Sequence, residues 1–340
     1  HLGSDPRFAP NHYGFDHSYG SLAGGVDPYN HCYKRGPFSR TWHRNGERID
    51  ERGHVTDLIA DEAERWILDR SGDRPWFGYV PFTAVHVPVK APQAWLDRYS
   101  GARYDADPLR DASFRAYAAY TSQMDHAVGR LIEALTVSGQ LDNTLVVFTS
   151  DNGAIPDCPL GGVEQYPGLQ TPAPLLGSNL PFRGRKSQLY EGGVRTPTVV
   201  HWPGRLGPRA MSHPVHAVDW MPTFSALAGA TPARDPKWDG TNIWPLIDGT
   251  REALDERDLF WNFRGNQFGL RRGPWKRIAR GEDPTAEDCE LYHVDTDPGE
   301  TRDRAGDRPA MVRDLLAAVA DQRRLDGTDR RPDADDPLVN

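Results

Sequence analysis

The strongest constraint on the fold is a pair of short runs in which apolar residues follow one another without alternation. Trp76-Phe77-Gly78-Tyr79-Val80-Pro81-Phe82 and Leu145-Val146-Val147-Phe148-Thr149 lack the every-second polar residue of a strand with one wet face. Such runs predict strands buried on both sides. Each is preceded by a helical pattern. Leu58, Ile59, Ala63, Trp66 and Ile67 recur at helical spacing within Thr56 to Arg70, and Tyr117, Tyr120, Met124, Val128, Leu131 and Leu135 do so within Ser113 to Thr136, with Gly139 just beyond. Strand, helix and strand in this order predict an α/β fold, a mostly parallel central sheet flanked by helices. Ligands of such sheets gather at the carboxyl ends of strands. His86 follows the first run, and Asp151-Asn152 follows the second.

The chain has 340 residues, above the roughly 250–300 at which a single core stops growing, so a large and a small domain are expected. Thr196 to Trp202 is a further β-prone stretch, and Val215 to Leu227 reads as a helix. After Asp255 the pattern changes to short alternating segments separated by Gly and Pro, from Leu259–Phe263 to Glu290–Val294, followed by an amphipathic stretch from Pro309 to Arg323. This predicts a smaller C-terminal antiparallel sheet with a helix across it. The expected division is 1–255, 256–329 and a charged tail at 330–340.

Composition excludes some classes of partner. The net charge is −8 with cations and anions interleaved, so no basic stripe exists to neutralise phosphates and nucleic acid is not expected as a partner. No apolar run reaches the roughly 18–20 residues needed for a transmembrane segment. Cys32, Cys158 and Cys289 lack paired spacing and read as structural or free thiols. A chain opening on His1 rather than Met reads as a fragment or a processed product, which leaves localisation open.

Three places carry candidate chemistry. Ser150-Asp151-Asn152-Gly153 puts a carboxylate and an amide oxygen side by side, hard ligands for Ca²⁺ or Mg²⁺, although Asp and Asn before Gly also make a turn on backbone grounds alone. Gly184-Arg185-Lys186, followed by Tyr190-Glu191-Gly192-Gly193-Val194-Arg195, offers a lysine that can grip an anionic ester; the alternative is a pair of solvated loop cations. His86, in Val85-His86-Val87-Pro88, can bind an anion or protonate a leaving oxygen, or be structural.

These segments, in this order, resemble the type I sulfatases of the alkaline phosphatase superfamily, and most nearly the arylsulfatase B or N-acetylgalactosamine-4-sulfatase group. His1-Leu2-Gly3 is similar to the end of the family's Gly-Lys-Trp-His-Leu-Gly motif. Tyr13-Gly14-Phe15-Asp16 with Gly20, and then Asp27-Pro28-Tyr29-Asn30-His31, continue the likeness. Thr149-Ser150-Asp151-Asn152-Gly153 resembles the metal-binding strand end, and Leu180-Pro181-Phe182-Arg183-Gly184-Arg185-Lys186 with Glu191-Gly192-Gly193-Val194-Arg195 is the most specific match. Asp219-Trp220-Met221-Pro222-Thr223, Asp239-Gly240, Pro245-Leu246, Glu290-Leu291-Tyr292, Asp297-Pro298 and Glu300 are similar to C-terminal landmarks.

The resemblance implies an alkaline-phosphatase-like fold whose N-terminal part lies outside this chain, and a sulfuric ester hydrolase acting on aryl or carbohydrate sulfates. It implies a Ca²⁺ site, with Mg²⁺ as the other candidate, in which Asp151 and Asn152 are two ligands. It implies Lys186 and His86 as groups that bind substrate and act in catalysis, and His1 as a further catalytic residue. The nucleophile of the family is a formylglycine made from Cys or Ser in a C/S-x-P-x-R motif. None of the three cysteines lies in one, so this chain alone is expected to be inactive. The expected partner is a sulfated small molecule or glycan, and most of the family is periplasmic, secreted or lysosomal. Two other readings stand beside this one: a phosphate or phosphonate monoester hydrolase of the same superfamily, and an inactive relative that only binds sulfated glycans.

Overall fold

A computed structural model describes residues 6–23, 25–32, 40–70, 74–156, 177–232 and 235–325. The chain divides into two compact units. The first is built chiefly from residues 1–141 and the second from 142–154 and 178–328. The boundary expected near Asp255 falls inside the second unit.

In the first unit, β1 (Tyr19–Ser21), β2 (Trp42–Arg44) and β3 (Glu47–Arg48) form a small antiparallel sheet. Helix α1 (Val55–Leu68) starts at His54, whose ring nitrogen accepts the Thr56 N–H and so satisfies one amide that the helix cannot. A short α2 (Gln93–Asp97) precedes the long α3 (Pro108–Val137), which begins with Asp107 as its cap and proline in its first turn. Along α3 the buried line includes Ala116, Ala119, Tyr120, Gln123, Ala127, Ala134 and Leu135, so that of the apolar residues marking its periodicity Tyr120 and Leu135 are buried while Tyr117, Met124, Val128 and Leu131 are only half-buried. Small side chains let α1 and α3 approach closely, and polar groups bridge them. Gln123 donates to His54 and to Asp57, and Arg130 reaches Asp61 at 2.7 Å and also pairs with Glu64.

The second unit contains β4 (Val146–Thr149), α4 (Glu191–Val194), β5 (Thr198–His201), α5 (Trp220–Leu227) and α6 (Trp244–Ile247). A four-stranded antiparallel meander follows, in the order β6 (Asp258–Phe263), β7 (Gln267–Arg272), β8 (Trp275–Arg280) and β9 (Cys289–His293), and then α7 (Pro309–Leu325). Phe268, Leu270, Ala279, Cys289 and Leu291 form one buried face with Val312, Leu315 and Val319 of α7. On the other face, Ile278, Tyr292 and Val294 pack against Leu189 and Tyr190. The antiparallel sheet with a helix across it is as expected after Asp255. Cys32 and Cys289 are free thiols, while Cys158 lies outside the described residues.

The α/β expectation needs correction in detail. Among the described residues every strand pair is antiparallel. β4 pairs with β5, with Thr149 opposite Thr198, so the chain leaves one strand and enters the other at the same end. Apolar runs report burial and carry no information on direction, which is set by where the connection returns. Residues 76–82 form no strand; Phe77 and Tyr79 are 56% and 71% exposed. Likewise β4 is not buried on both faces, with Phe148 44% exposed. A buried strand needs neighbours on both edges and cover on both faces, and these runs lack them among the described residues.

Candidate active site

The return of the chain at one end of the β4–β5 pair gathers the polar segments. Thr149 and Thr198 close the strand pair with a hydroxyl–hydroxyl bond of 2.8 Å. The Ser150 hydroxyl then donates to the Asn152 carbonyl at 2.9 Å, which turns the chain so that Asp151 is exposed and Asn152 half-buried. The turn reading and the ligand reading of this segment are therefore compatible, because the turn is what presents the two oxygens.

Three glycines lock this turn to the loop that carries Lys186. The Gly153 N–H donates to the Gly193 carbonyl at 3.0 Å. A Cβ on Gly153 would lie 1.8 Å from the Gly192 carbonyl oxygen, and one on Gly193 would lie 2.0 Å from that of Gln188. Only glycine permits backbones this close. Asn179 completes the junction, accepting from the Ala154 N–H at 2.8 Å and donating to the carbonyls of Ala154 and Gly184. Lys186 itself donates its backbone N–H to the Ala154 carbonyl at 3.3 Å. The structure thus joins the segment that carries Asp151 and Asn152 to the one that carries Lys186, some thirty residues apart in the chain.

The loop is fastened from beneath by buried charge. Glu191 and Glu300 flank Lys276 at 2.8 and 3.1 Å, and all three side chains are at most 3% exposed. The Glu191 N–H also donates to Glu300 at 2.6 Å. Burial pushes the Glu300 carboxyl up, and the Lys276 ammonium opposes that shift. Glu191 and Glu300 stand out in the sequence only as family landmarks. Their partner, Lys276, carries no signal there, because it lies in an alternating strand pattern where a lysine reads as solvent-facing. Asn179 was missed for a similar reason, as an isolated amide in a loop. The landmarks Asp219 and Gly240 are structural as well. Asp219 is fully buried on Arg257, His216 N–H and Thr241 N–H, and a Cβ on Gly240 would meet the Val218 carbonyl at 2.1 Å.

His86 belongs to the first unit. It is exposed in a turn closed by its own N–H to the Thr83 carbonyl at 2.8 Å, with Nδ1 at 2.8 Å from the Val87 carbonyl. A carbonyl accepts only, so Nδ1 carries the proton there. Behind the turn, Val89 and Ala91 pack on Ala116, Ala119 and Tyr120. Lys90 forms a buried pair with Asp27, and the His54 ring holds the Lys90 carbonyl at 2.8 Å. His1 lies outside the described residues.

Asp151 and Asn152 fit a hard divalent cation as part of a ligand set. Both present oxygen, and among the described residues no cationic side chain pairs with Asp151. Two side chains are fewer than the six to eight oxygens of Ca²⁺ or the six of Mg²⁺, and no cluster of three or more His, Cys, Asp or Glu suited to a metal occurs among the described residues.

The sulfatase family model matches residues 1–230, and the chain belongs to that family, within the alkaline phosphatase superfamily. It is 30% identical to N-acetylgalactosamine-6-sulfatase of Homo sapiens over 88% of this chain and 59% of that protein. It is 32% identical to a sulfatase of Formosa agariphila over 76% of this chain and 47% of that protein. The chain therefore spans about half the length of these curated relatives. The crystal structure of Ps i-CgsB in complex with k-i-k-neocarrahexaose matches with a TM-score of 0.75 at 27% identity, covering 95% of this chain and 69% of that one. The phosphonate monoester hydrolase of Agrobacterium radiobacter shares the fold, with a TM-score of 0.56 at 18% identity over 92% of this chain and 64% of that one.

Proposed function

We propose that the protein to which these residues belong hydrolyses sulfate esters, carbohydrate sulfates first, to an alcohol and inorganic sulfate. The observation that supports this reading is the glycine-locked junction that ties the loop carrying Lys186 to the turn carrying Asp151 and Asn152 in a member of the sulfatase family. Transfer of a sulfuryl group builds negative charge on its peripheral and leaving oxygens, so donors fixed in advance at those positions lower the barrier. Lys186 binds a sulfuryl oxygen as a point charge. His86, held through Nδ1 and carrying a second proton on Nε2 as the imidazolium, delivers that Nε2 proton to the leaving oxygen and is left neutral. Asp151 and Asn152 hold the divalent cation, Ca²⁺ or Mg²⁺, which when bound neutralises charge on the sulfuryl oxygens. His1 assists at the nucleophile, a formylglycine that a segment outside these residues supplies.

The carbohydrate preference is supported by two relatives, one named N-acetylgalactosamine-6-sulfatase and one crystallised in complex with k-i-k-neocarrahexaose. The exposed apolar side chains Phe77 and Tyr79 in one unit, and Phe148 and Val199 in the other, are surfaces where further parallel strands of the whole protein's sheet would pack. The reading is tested by assaying the complete protein for sulfate release from a sulfated N-acetylgalactosamine and from an aryl sulfate, beside an aryl phosphate and a phosphonate monoester. Faster turnover of either phosphorus ester would overturn it in favour of the phosphohydrolase alternative.

A further inference from the structure

A hollow of about 510 Å³ opens where β8 starts and β9 ends, lined by Trp275, His293, Thr296, Arg304, Asp307 and Arg308. It lies wholly in the second unit and shares no residue with the site described above. Trp275 is paired across the strands with His293, whose ring meets it edge-on at 4.8 Å. The Arg308 guanidinium stacks 4.5 Å above the same indole. Stacking holds a guanidinium flat while its N–H donors remain in its own plane, a geometry that matches a tetrahedral oxyanion.

The charges of the hollow do not cancel. Arg304 is paired with Asp307 at 2.9 Å, whereas no carboxylate lies within 4.0 Å of Arg308 among the described residues. Thr296 contributes a hydroxyl, held 2.9 Å from His293 Nδ1. The surroundings give no general attraction for anions, since the chain carries a net charge of −8 and long-range steering would repel them. An anion settles here only through local contacts.

We propose that this hollow is a second saccharide-binding site, which takes a sulfated sugar residue through side chains other than the candidate catalytic groups. Arg308 receives the sulfate, the Trp275–His293 pair bounds the hollow beside the sugar, and Thr296 receives a hydroxyl. The ligand class rests on the sulfatase reading; the site itself rests on the hollow and its side chains.

The test is calorimetric titration of the 340-residue chain with a chondroitin 6-sulfate tetrasaccharide, its chemically desulfated counterpart and an acidic peptide of equal charge, at moderate salt. The sulfated tetrasaccharide is expected to bind at least about tenfold more tightly than the other two, and Arg308→Gln to weaken it about tenfold, the scale of one charge-assisted hydrogen bond. Arg308→Lys, which keeps the charge and loses the planar fork, is expected to fall between, and Lys186→Ala to leave the Arg308-dependent binding in place. A thermal melt of each variant shows that it is folded. Equal binding of the desulfated sugar or of the peptide, binding indifferent to Arg308→Gln, or binding abolished by Lys186→Ala overturns the proposal. So does a wild-type chain that binds none of the three, and that result leaves the sulfatase reading intact, because turnover by the complete protein tests it separately.

Discussion

Lys186 is the residue on which the proposed chemistry leans most. Lys186→Ala in the complete protein is expected to lower kcat/KM for a sulfate ester by about 10²–10³, the usual loss for one preorganised charge-stabilising group, with little change in melting temperature because the fold uses its backbone N–H alone. Steady-state kinetics beside a thermal melt separate the two effects. Gly193 behaves oppositely. Gly193→Ala forces a Cβ to within 2.0 Å of the Gln188 carbonyl, and should destabilise the second unit by about 2–4 kcal/mol, as overpacking against rigid backbone does; denaturant unfolding reads this directly. His43 sets a pH dependence. Burial lowers its pKa from 6.5 to about 4, so below pH 6.5 the unfolded chain takes up a proton that the folded chain refuses until about pH 4. Stability present at neutral pH is therefore lost as pH falls through that window, by up to about 3 kcal/mol from this group. Melting temperature against pH should slope accordingly for the first unit, and flatten in His43→Asn.

At the scale of elements, the decisive contact is the loop of α4 on the four-stranded sheet. Lys276 lies between Glu191 and Glu300 where none of the three reaches water, and Arg195 adds a second cation 3.5 Å from Glu191. Lys276→Met strands two carboxylates in the interior and should cost about 3–5 kcal/mol, whereas adding Glu191→Gln and Glu300→Gln recovers a large part of that loss. A triple variant no more stable than the single one in chemical denaturation would show that packing, not charge, fastens the loop. Here the limits of sequence reading are physical. The helices at 55–68 and 108–137 follow from their periodicity, and the meander after Asp255 from its alternation and turns. The run at 76–82 has the composition of a buried strand and forms none, because pairing depends on a neighbour that composition does not name. Lys276 could not be foreseen either, since only the register places it opposite Tyr292 and under Glu191.

At the scale of the whole molecule, the two units divide the candidate groups. Asp151, Asn152 and Lys186 are in one and His86 in the other. If the complete protein holds a divalent cation on Asp151 and Asn152, removing it with a chelator should abolish sulfate release and also lower the melting point. A ligand present at a hundred times its Kd contributes about 2.7 kcal/mol through linkage, and Asp151→Asn should remove the chelator's effect on both readouts. Unchanged melting of the wild type under chelation would sink the metal assignment.

By itself, the sequence determined the family, the order of the motifs and the identities of the candidate groups, because residue types and their spacing are local properties of a chain. It also determined the helices and the C-terminal meander, whose periodicities are imposed by burial of one face. Only the tertiary structure decided that the loop of Lys186 meets the turn at 151–154 through three glycines, that a buried lysine fastens that loop, and that β4 and β5 run antiparallel. Those outcomes depend on where distant backbones come within hydrogen-bonding distance, and that distance is a property of the folded chain.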